Sequence, residues 1–522
     1  MRSYNAKSNQ VKLYPEFLKE AGYYCTNNKK TDYNIDKRQT QDLWDEQGHT
    51  AHYQNRPAGQ PFFAIFNIGI SHEVTVHREV PKSQLRHQPE NVPLPPYHPA
   101  TPEIKHDWAK YYDRVEDMDT QVGNILFELE NSGEADNTIV FYYSDHGGVL
   151  GRSKRFVYET GTRVPFILHV PEKFKHLFPA DKPGDAVDRL ISFVDLAPTL
   201  LSMVDIPIPD FMQGKAFLGK QKTSDPEYVY MFSDRMDERY DLVRAVRDKK
   251  YRYIRNYMPY RPNGQHLNYL WNAASVRSWE KAYLNGECDE KQSAFWKEKP
   301  VEELYDTEND PWEVNNLVYD PAYKNVLDRM REANKAWISN NYDTGFIPES
   351  DLLRRTAGKA PYDVIRNNDW DLDTIRLAAL KASCGRGSYR KDYRNFLKHP
   401  DSAVRYWGAT GLLMLKDGAK PAIHDLEKAL KDSSAAVRIV AAEALYGLGN
   451  VKVSIVTLHN LISHEQPEVR CRAMNTIDCL GITDPNIQLA VQQLLINDGE
   501  ENHKRVDVRI ARWLNEKWSR EE

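Results

Sequence analysis

The residues best suited to chemistry follow one apolar segment of the chain, within Thr138 to Pro165. This stretch reads TIVFYYSDHGGVLGRSKRFVYETGTRVP, so an apolar run leads into Asp145 and His146, then two glycines and a basic loop. A strand that ends in a carboxylate, an imidazole and glycines is typical of metal and anion sites in open α/β sheets. Lys154 follows closely enough to return a cation to the same pocket. The stretch therefore indicates part of an active site.

Two other segments carry side chains that could reach this pocket. His72 follows the apolar run Pro61 to Ile68, which predicts a strand buried on both faces. Lys30 follows a short helix predicted from Tyr14 to Tyr23. Because the loops at the carboxyl ends of parallel strands converge, we expect His72 and Lys30 to lie near the end of the strand that precedes Asp145.

The order of the elements predicts an α/β fold with a mostly parallel sheet sandwiched by helices. Between the two apolar runs, Asp107 to Ser132 carries apolar residues at helical spacing, which gives the order strand, helix, strand. Val164 to Val170 predicts another strand, and Arg189 to Val204 predicts another helix that Pro198 would kink or restart.

Changes in composition divide the chain into four parts. We expect an α/β domain over 1–224, a small α+β subdomain with antiparallel strands over 225–345, a linker over 346–369 and an all-α region over 370–522. In the last part a Val-Arg pair recurs at Val404, Val437 and Val469, 33 and 32 residues apart, each time before a helix rich in small residues. This pattern resembles HEAT-type helical repeats, which bury their apolar faces by stacking on neighbours.

Composition excludes several classes of function. The chain has 522 residues, enough for two to four domains, and its 70 basic and 75 acidic residues give a net charge of −5, which exerts no general pull on nucleic acid. No apolar run approaches the length of a membrane-spanning helix, and the mean hydropathy is −0.69. The five cysteines lack CxxC pairing, which argues against zinc and against a disulfide framework.

Taken together and in order, these motifs resemble the type I sulfatase family of the alkaline phosphatase superfamily. The resemblance extends over roughly residues 10 to 345. It implies an alkaline-phosphatase-like fold and a sulfuric ester hydrolase that acts on a sulfated sugar or an aryl sulfate. The segments that carry it are Ala21 to Asn34, Phe62 to Glu73, Asp107 to Pro165, Leu190 to Leu201, Met212 to Leu218 and Glu303 to Leu317.

The resemblance also implies a role for each candidate residue. Asp145 and His146 correspond to two ligands of a divalent metal, for which Ca²⁺ is the first choice. Lys30 corresponds to the lysine that contacts the sulfate and the nucleophile, and Lys154 to the lysine that contacts the sulfate and the bridging oxygen. His72 corresponds to the histidine that faces the leaving group. The chemistry agrees, because transfer of a sulfuryl group needs cations around its oxygens and a proton donor for the departing alkoxide.

The sequence departs from the family pattern in four respects. Asp32 stands where the family often has His, and His146 stands where it commonly has Asn, a better calcium ligand than imidazole. The C/S-x-P-x-R motif, whose first residue becomes the formylglycine nucleophile, occurs nowhere in the chain. The early Asp-Asp pair of metal ligands is missing as well. We therefore expect an N-terminally truncated sulfatase that binds metal weakly or not at all and does not cleave an aryl sulfate by itself.

Two alternatives remain open at this point. The chain could be a phosphodiesterase or phosphonate hydrolase of the same superfamily, because phosphate and sulfate use similar pockets. It could also be a non-catalytic protein that binds glycan, sulfate or a protein, with the helical repeats as a partner or self-association surface. The family resemblance implies a periplasmic or extracellular location, whereas the first residues lack the apolar segment of a secretory signal, which favours the cytoplasm if Met1 is the true start.

Overall fold

A computed structural model describes residues 5–36, 39–367, 370–498 and 505–521. None of the helices within these ranges is long and apolar enough to cross a bilayer. The strands are β1 Tyr24–Asn28, β2 Glu46–Gln47, β3 Phe62–Phe66, β4 Val140–Tyr143, β5 Phe166–His169, β6 Val229–Ser233, β7 Val243–Arg247, β8 Tyr251–Asn256 and β9 Glu302–Asp306. The helices of the first 345 residues are α1 Tyr14–Glu20, α2 Val74–His77, α3 Pro102–Asn131, α4 Glu159–Thr162, α5 Leu196–Met203, α6 Asn268–Trp271, α7 Ala274–Leu284, α8 Glu290–Ser293 and α9 Lys324–Asn340. The helices that follow are α10 Glu349–Thr356, α11 Pro361–Arg366, α12 Leu372–Ala382, α13 Arg390–Phe396, α14 Ser402–Met414, α15 Ile423–Ala429, α16 Ala435–Gly447, α17 Val451–Ile462, α18 Pro467–Cys479, α19 Pro485–Asp498 and α20 Val506–Glu521.

The α/β part contains two sheets. Strands β2, β1 and β3 are parallel neighbours in that order, with β1 and β3 in register from Tyr24↔Phe62 to Asn28↔Phe66. Strands β4 and β5 form an antiparallel pair. Among the described residues, β3 and β4 each pair along one edge only. The strand predicted over 61–68 is present as β3, but it is half-buried rather than buried on both faces.

An apolar groove separates β3 from β4 and explains this partial burial. The groove is a cavity of about 1940 Å³ that both strands line together with the apolar face of α3. On that face Val115 remains 37% exposed and Leu126 39% exposed. The predicted helix from Asp107 begins earlier, at Pro102, because the Oγ1 of Thr101 accepts a hydrogen bond from the backbone N–H of Ile104 (3.2 Å).

The helix predicted from Arg189 is shorter than expected. It begins at Leu196, directly after a 3-10 turn over Phe193–Asp195, in which Asp195 accepts the backbone N–H of Ser192 at 2.9 Å and that of Lys215 at 2.7 Å. Pro198 therefore lies in the first turn of α5, where its missing N–H leaves no helical hydrogen bond unmade, and it neither kinks nor restarts the helix.

The second part is a four-stranded antiparallel sheet in the order β6, β7, β8, β9, and it confirms the strands predicted after residue 225. One of its buried arginines, Arg252, forms an ion pair of 2.9 Å with Glu313 and a further one with Glu159 on α4. Arg247 donates to Glu159 as well, at 2.7 Å. Because α4 directly follows the loop that carries Lys154, this charge network attaches that loop to the sheet.

The helical part packs directly against the antiparallel sheet region. The recurring Val-Arg motifs lie in the first turns of α14, α16 and α18, and two of their arginines reach the next repeat. Arg405 pairs with Asp432 at 2.6 Å, and Arg470 pairs with Asp507 at 2.8 Å. The described part of the suggested linker, up to residue 367, contains α10 and α11, and residues 368–369 lie outside the described ranges.

Trp407 connects the first repeat to the preceding segment and offers a test of this packing. Its side chain is 1% exposed, and its Nε1–H donates to the carbonyl oxygen of Phe346 at 2.8 Å. We expect Trp407→Ala to lower the free energy of unfolding by about 3–5 kcal/mol, because it removes a large buried side chain and leaves a cavity. Urea denaturation followed by circular dichroism measures the loss. Tyr319→Ala, at a residue 86% exposed, is the control. An equal shift in both variants would contradict the packing described here.

Candidate functional site

Four of the five candidate residues line one end of the groove. Lys30 follows β1, His72 follows β3, and Asp145 and His146 follow β4, so the ends of three strands bring them to the same cavity. Lys154 stands behind this surface with a side chain 17% exposed. Its charge influences the pKa of His72, which places it within electrostatic range of the other residues.

Asp145 is the contact point between the two sheets. Its Oδ2 lies 3.2 Å from the Nζ of Lys30, and its Oδ1 lies 3.6 Å from the Nε2 of His146. Loss of surrounding water works to raise the pKa of Asp145, but His146 and Lys30 outweigh this effect and hold the pKa below its ordinary value. The carboxylate is therefore ionised at neutral pH.

His146 is held in one tautomer by its own neighbour. Its Nδ1 lies 2.8 Å from the carbonyl oxygen of Gly147, so Nδ1 carries the hydrogen and Nε2 keeps its lone pair. Burial lowers the pKa of His146, against the opposing charge of Asp145. A neutral imidazole with a free Nε2 can bind a metal ion or accept a proton.

The loop that carries Lys30 is fixed by two asparagines that the sequence analysis did not identify. Asn27, buried at the end of β1, donates from Nδ2 to the carbonyl oxygen of Lys30 at 2.8 Å. Asn67, just after β3, donates to the Oδ1 of Asn27 at 2.9 Å. These amides join two strand ends, and the sequence offers a signal only for Asn67, which lies at the end of a predicted strand.

Glu73 is the second group that sequence reasoning missed. Its side chain is 1% exposed, and its carboxylate lies 3.6 Å from the Nζ of Lys154 and 2.9 Å from Arg155. Burial lowers the pKa of Lys154, while the charge of Glu73 opposes that effect. Glu73 thus keeps Lys154 charged and fixes the segment that contains His72 to the basic loop.

His72 lies within electrostatic range of two cations, Lys154 and Lys30. Its Nδ1 accepts the backbone N–H of Val74 at 3.3 Å, so the hydrogen of the neutral ring is on Nε2. Burial lowers the pKa of His72, and the charges of Lys154 and Lys30 lower it further. The ring is therefore neutral at neutral pH and offers one N–H donor.

Glycines let the basic loop fold back on itself. The backbone N–H of Gly147 donates to the carbonyl of Gly161 at 3.0 Å, and that of Gly148 donates to the carbonyl of Thr160 at 2.9 Å. A Cβ on Gly147 or on Gly161 would collide with a backbone carbonyl oxygen. The close approach explains Gly147, whereas a Cβ on Gly148 would meet the side chain of Ser153 at 3.2 Å.

A buried histidine supports the same loop from below. The Nε2 of His98 lies 3.2 Å from the carbonyl oxygen of Gly151 and donates to it, while its Nδ1 accepts the indole N–H of Trp108 at 3.1 Å. Burial lowers the pKa of His98 to about 3, so the ring stays neutral and keeps both hydrogen bonds. The proline-rich segment 92–99, which contains His98, and α3, which contains Trp108, thereby hold the basic loop in place.

The metal-binding capacity of the site is limited. Calcium takes six to eight oxygen ligands, whereas Asp145 and His146 provide one carboxylate and one imidazole, and Lys30 already contacts that carboxylate. Across the described ranges, the single group of three potential ligands is His87, Asp113 and Glu116, which does not include them. Asp145 and His146 do not by themselves make a calcium site.

Comparison with known proteins relates this site to a family. One family model, described as Sulfatase, matches residues 4–206, and another, described as N-sulphoglucosamine sulphohydrolase, C-terminal, matches residues 150–267. An ulvan-active sulfatase from Formosa agariphila is 36% identical over 381 residues and covers 66% of this chain. The human N-sulphoglucosamine sulphohydrolase is 26% identical over 280 residues and covers 49% of it.

The chain spans only part of these relatives. The matched regions make up 62% of the length of the Formosa protein and 52% of the human one. The solved structure of a 2-O GAG sulfatase is 20% identical and covers 66% of this chain and 78% of that one, with a TM-score of 0.45.

The electrostatic coupling between Lys154 and His72 can be measured. Because Lys154 lowers the pKa of His72, we expect Lys154→Gln to raise that pKa toward the ordinary value. NMR titration of the imidazole carbon-bound protons reports the value in the wild type and in the variant. Lys335→Gln, an exposed lysine on α9, is the control and should leave the titration of His72 unchanged. An unchanged or lower pKa in Lys154→Gln would contradict the geometry of the cluster.

Proposed function

The chain belongs to the type I sulfatase family of the alkaline phosphatase superfamily, and from this premise we propose that the cluster of Lys30, His72, Asp145, His146 and Lys154 is a sulfuryl-transfer site for sulfated carbohydrates. The observation that carries the proposal is the convergence of Lys30, Lys154 and two imidazoles at one end of the groove. Neutral imidazoles and ammonium groups suit a sulfate ester, which carries its charge on oxygens that accept hydrogen bonds.

The two lysines share one task in this proposal and act from different depths of the site. Lys30, on the rim of the cavity, and Lys154, behind it, contact the nonbridging oxygens of the sulfate and stabilise the charge that grows there during transfer. Glu73 balances Lys154 in the free protein, so the lysine is already oriented before the substrate arrives. Such orientation reduces the reorganisation needed in the transition state.

His72 acts on the departing alkoxide. Because the backbone of Val74 occupies Nδ1, the hydrogen available to the leaving oxygen is on Nε2. The negative charge of a bound sulfate opposes the effect of Lys154 and Lys30, so the pKa of His72 rises when substrate binds. The raised pKa favours a second hydrogen on Nδ1, which displaces the contact with Val74, and the protonated ring can then give its Nε2 hydrogen to the departing alkoxide and remain a neutral imidazole.

In this proposal, the further metal ligands and the nucleophile come from outside the cluster. Family membership suggests a divalent metal, and we propose Ca²⁺ held by Asp145, His146 and further oxygen ligands that these residues do not supply. The bound metal would offset charge on the sulfate oxygens. We propose that an apolar strand inserted between β3 and β4 brings the nucleophile, since both strands have a free edge there among the described residues.

The substrate class follows from the relatives named above. Their names refer to ulvan and to N-sulphoglucosamine, and we propose a sulfated carbohydrate as the substrate of this chain, in periplasmic or extracellular surroundings. The exposed rim at Lys30, whose side chain is 43% accessible, leaves room for a substrate larger than the sulfate itself.

Binding of a sulfate ester tests the proposal without requiring turnover. We expect Lys30→Gln and Lys154→Gln each to weaken binding of N-acetylglucosamine 6-sulfate by about tenfold, because each removes a charge-assisted hydrogen bond. Isothermal titration calorimetry measures the affinity, and Lys335→Gln, an exposed lysine on α9, is the matched control. Equal affinities in all four proteins would contradict the proposed site.

A measurement of the hydrolysis rate tests two points separately, namely whether the nucleophile lies within the chain and whether the cluster is the sulfate site. If the chain hydrolyses an aryl sulfate and His72→Ala abolishes that activity, the nucleophile lies within the chain and the inserted strand is wrong. If the variants lose binding and no hydrolysis occurs, the site is correct and the nucleophile comes from elsewhere.

A further inference from the structure

A second basic pair lies on the rim of the same cavity. The Nζ of Lys29 is 3.3 Å from the Nδ1 and 3.5 Å from the Nε2 of His49, so the ammonium group stands against the edge of the imidazole ring. Both side chains are exposed, and both line the cavity together with Lys30. The predicted role of Lys30 does not involve either of them.

The backbone holds the two residues in place. The side-chain amide of Asn28 donates to the carbonyl oxygen of His49 at 3.2 Å, and the N–H of Gly48 donates to the carbonyl of Asn27 at 3.1 Å. Lys29 itself has a φ of 88°, in the left-handed region that favours glycine or asparagine. The loops after β1 and β2 are thus joined, and they present two basic side chains from fixed positions.

Charge makes this pair unusual. Within the described ranges, neither Lys29 nor His49 contacts a carboxylate, whereas the neighbouring Lys30 pairs with Asp145. The ammonium group can donate one hydrogen to the imidazole of His49, which leaves its other hydrogens available to a ligand. An anion beside the pair would accept a hydrogen bond from Lys29 and one from the ring N–H of His49.

The strand order places the pair on a definite side of the proposed sulfate site. His49 follows β2, Lys29 and Lys30 follow β1, and His72 follows β3, in a sheet ordered β2, β1, β3. Neighbouring strands are about 4.8 Å apart, so the pair lies beside Lys30 on the side away from His72. A group bound there belongs to a part of the ligand beyond the sulfate that Lys30 contacts.

We propose that Lys29 and His49 form a second anion subsite, which binds a carboxylate or sulfate on the sugar next to the one that carries the reacting sulfate. The substrate is then a polyanionic carbohydrate chain rather than an isolated sulfate ester. The subsite rests on the proposed function, because it takes the sulfate site at Lys30 as its neighbour. The shared chemistry is an oxyanion on an adjacent sugar.

Three probes separate this subsite from the sulfate site. N-acetylglucosamine 6-sulfate carries one anion, the chondroitin 6-sulfate disaccharide carries a sulfate and a carboxylate, and its carboxyl-reduced form carries the sulfate alone. A fourth probe, the carboxyl-reduced disaccharide with a second sulfate, tells a sulfate from a carboxylate as the second anion. We expect at least one dianionic disaccharide to bind about tenfold more tightly than the singly charged probes.

The variants assign that gain to specific side chains. Lys29→Asn suits the left-handed backbone and removes the charge, and we expect it to abolish the tenfold gain while the affinity for N-acetylglucosamine 6-sulfate stays the same. His49→Gln should reduce the gain in part, and Lys335→Gln, on exposed α9, is the control. Circular dichroism melting confirms that each variant is folded.

Two results would overturn the subsite. One is a dianionic disaccharide that binds no better than the monosaccharide, and the other is a Lys29→Asn variant that weakens both ligands equally. The proposed function fails separately, when Lys30→Gln leaves the affinity for N-acetylglucosamine 6-sulfate unchanged.

Discussion

The buried carboxylate of Glu73 is the interaction on which the geometry of the candidate site depends. It lies one residue after His72 and contacts both Lys154 and Arg155, which belong to one loop. Arg155 is 82 residues further along the chain than Glu73. A buried carboxylate without these partners would be strongly destabilising, and the same is true of the two buried cations without the carboxylate. The ends of two separate segments are therefore forced together, and the position of His72 relative to Lys154 follows from that requirement.

The electrostatics of the site favour an anion over a cation. Lys30 and Lys154 depress the pKa of His72, so the imidazole is neutral, while Lys30 pairs with Asp145 and Lys154 pairs with Glu73. The three cations Lys30, Lys154 and Arg155 thus stand against two carboxylates, those of Asp145 and Glu73. The excess of one positive charge agrees with a site for sulfate esters, and the pair of Lys29 and His49 lies beside it along the sheet edge.

Much of the site could be predicted from the sequence because its residues follow strands. His72 and Asp145 each follow an apolar run that predicts a strand, and strand ends bring such positions to one edge. Lys30 was placed after a predicted helix, and β1, which precedes it, was not predicted because its residues, YCTNN, are mostly polar. The supporting residues could not be found in this way. Asn27 and Asn67 meet across 40 residues, and His98 reaches Gly151 through a loop without regular structure, so their partners depend on tertiary packing. The start of α5 was missed for a local reason, since the 3-10 turn in which Asp195 accepts the backbone N–H of Ser192 was not recognised.

The fold, like the site, could be predicted from the sequence only in part. The antiparallel sheet and the helical pairs follow the alternation and periodicity of the sequence, whereas the separation of β3 from β4 does not. An apolar run predicts a buried strand, but the partner that buries it is not encoded in the run itself. For this reason β3 was predicted to be buried on both faces but is half-buried, and apolar residues of α3 are exposed.

The position of a bound oxyanion tests the central claim most directly. Crystals of the protein grown with selenate, an anomalous scatterer that mimics sulfate, should show one selenium peak at the end of the groove, within hydrogen-bond distance of Lys30 and Lys154 and adjacent to His72. A selenium peak confined to other surfaces, with these three side chains free of density, would contradict the assignment of this cluster as the sulfate site.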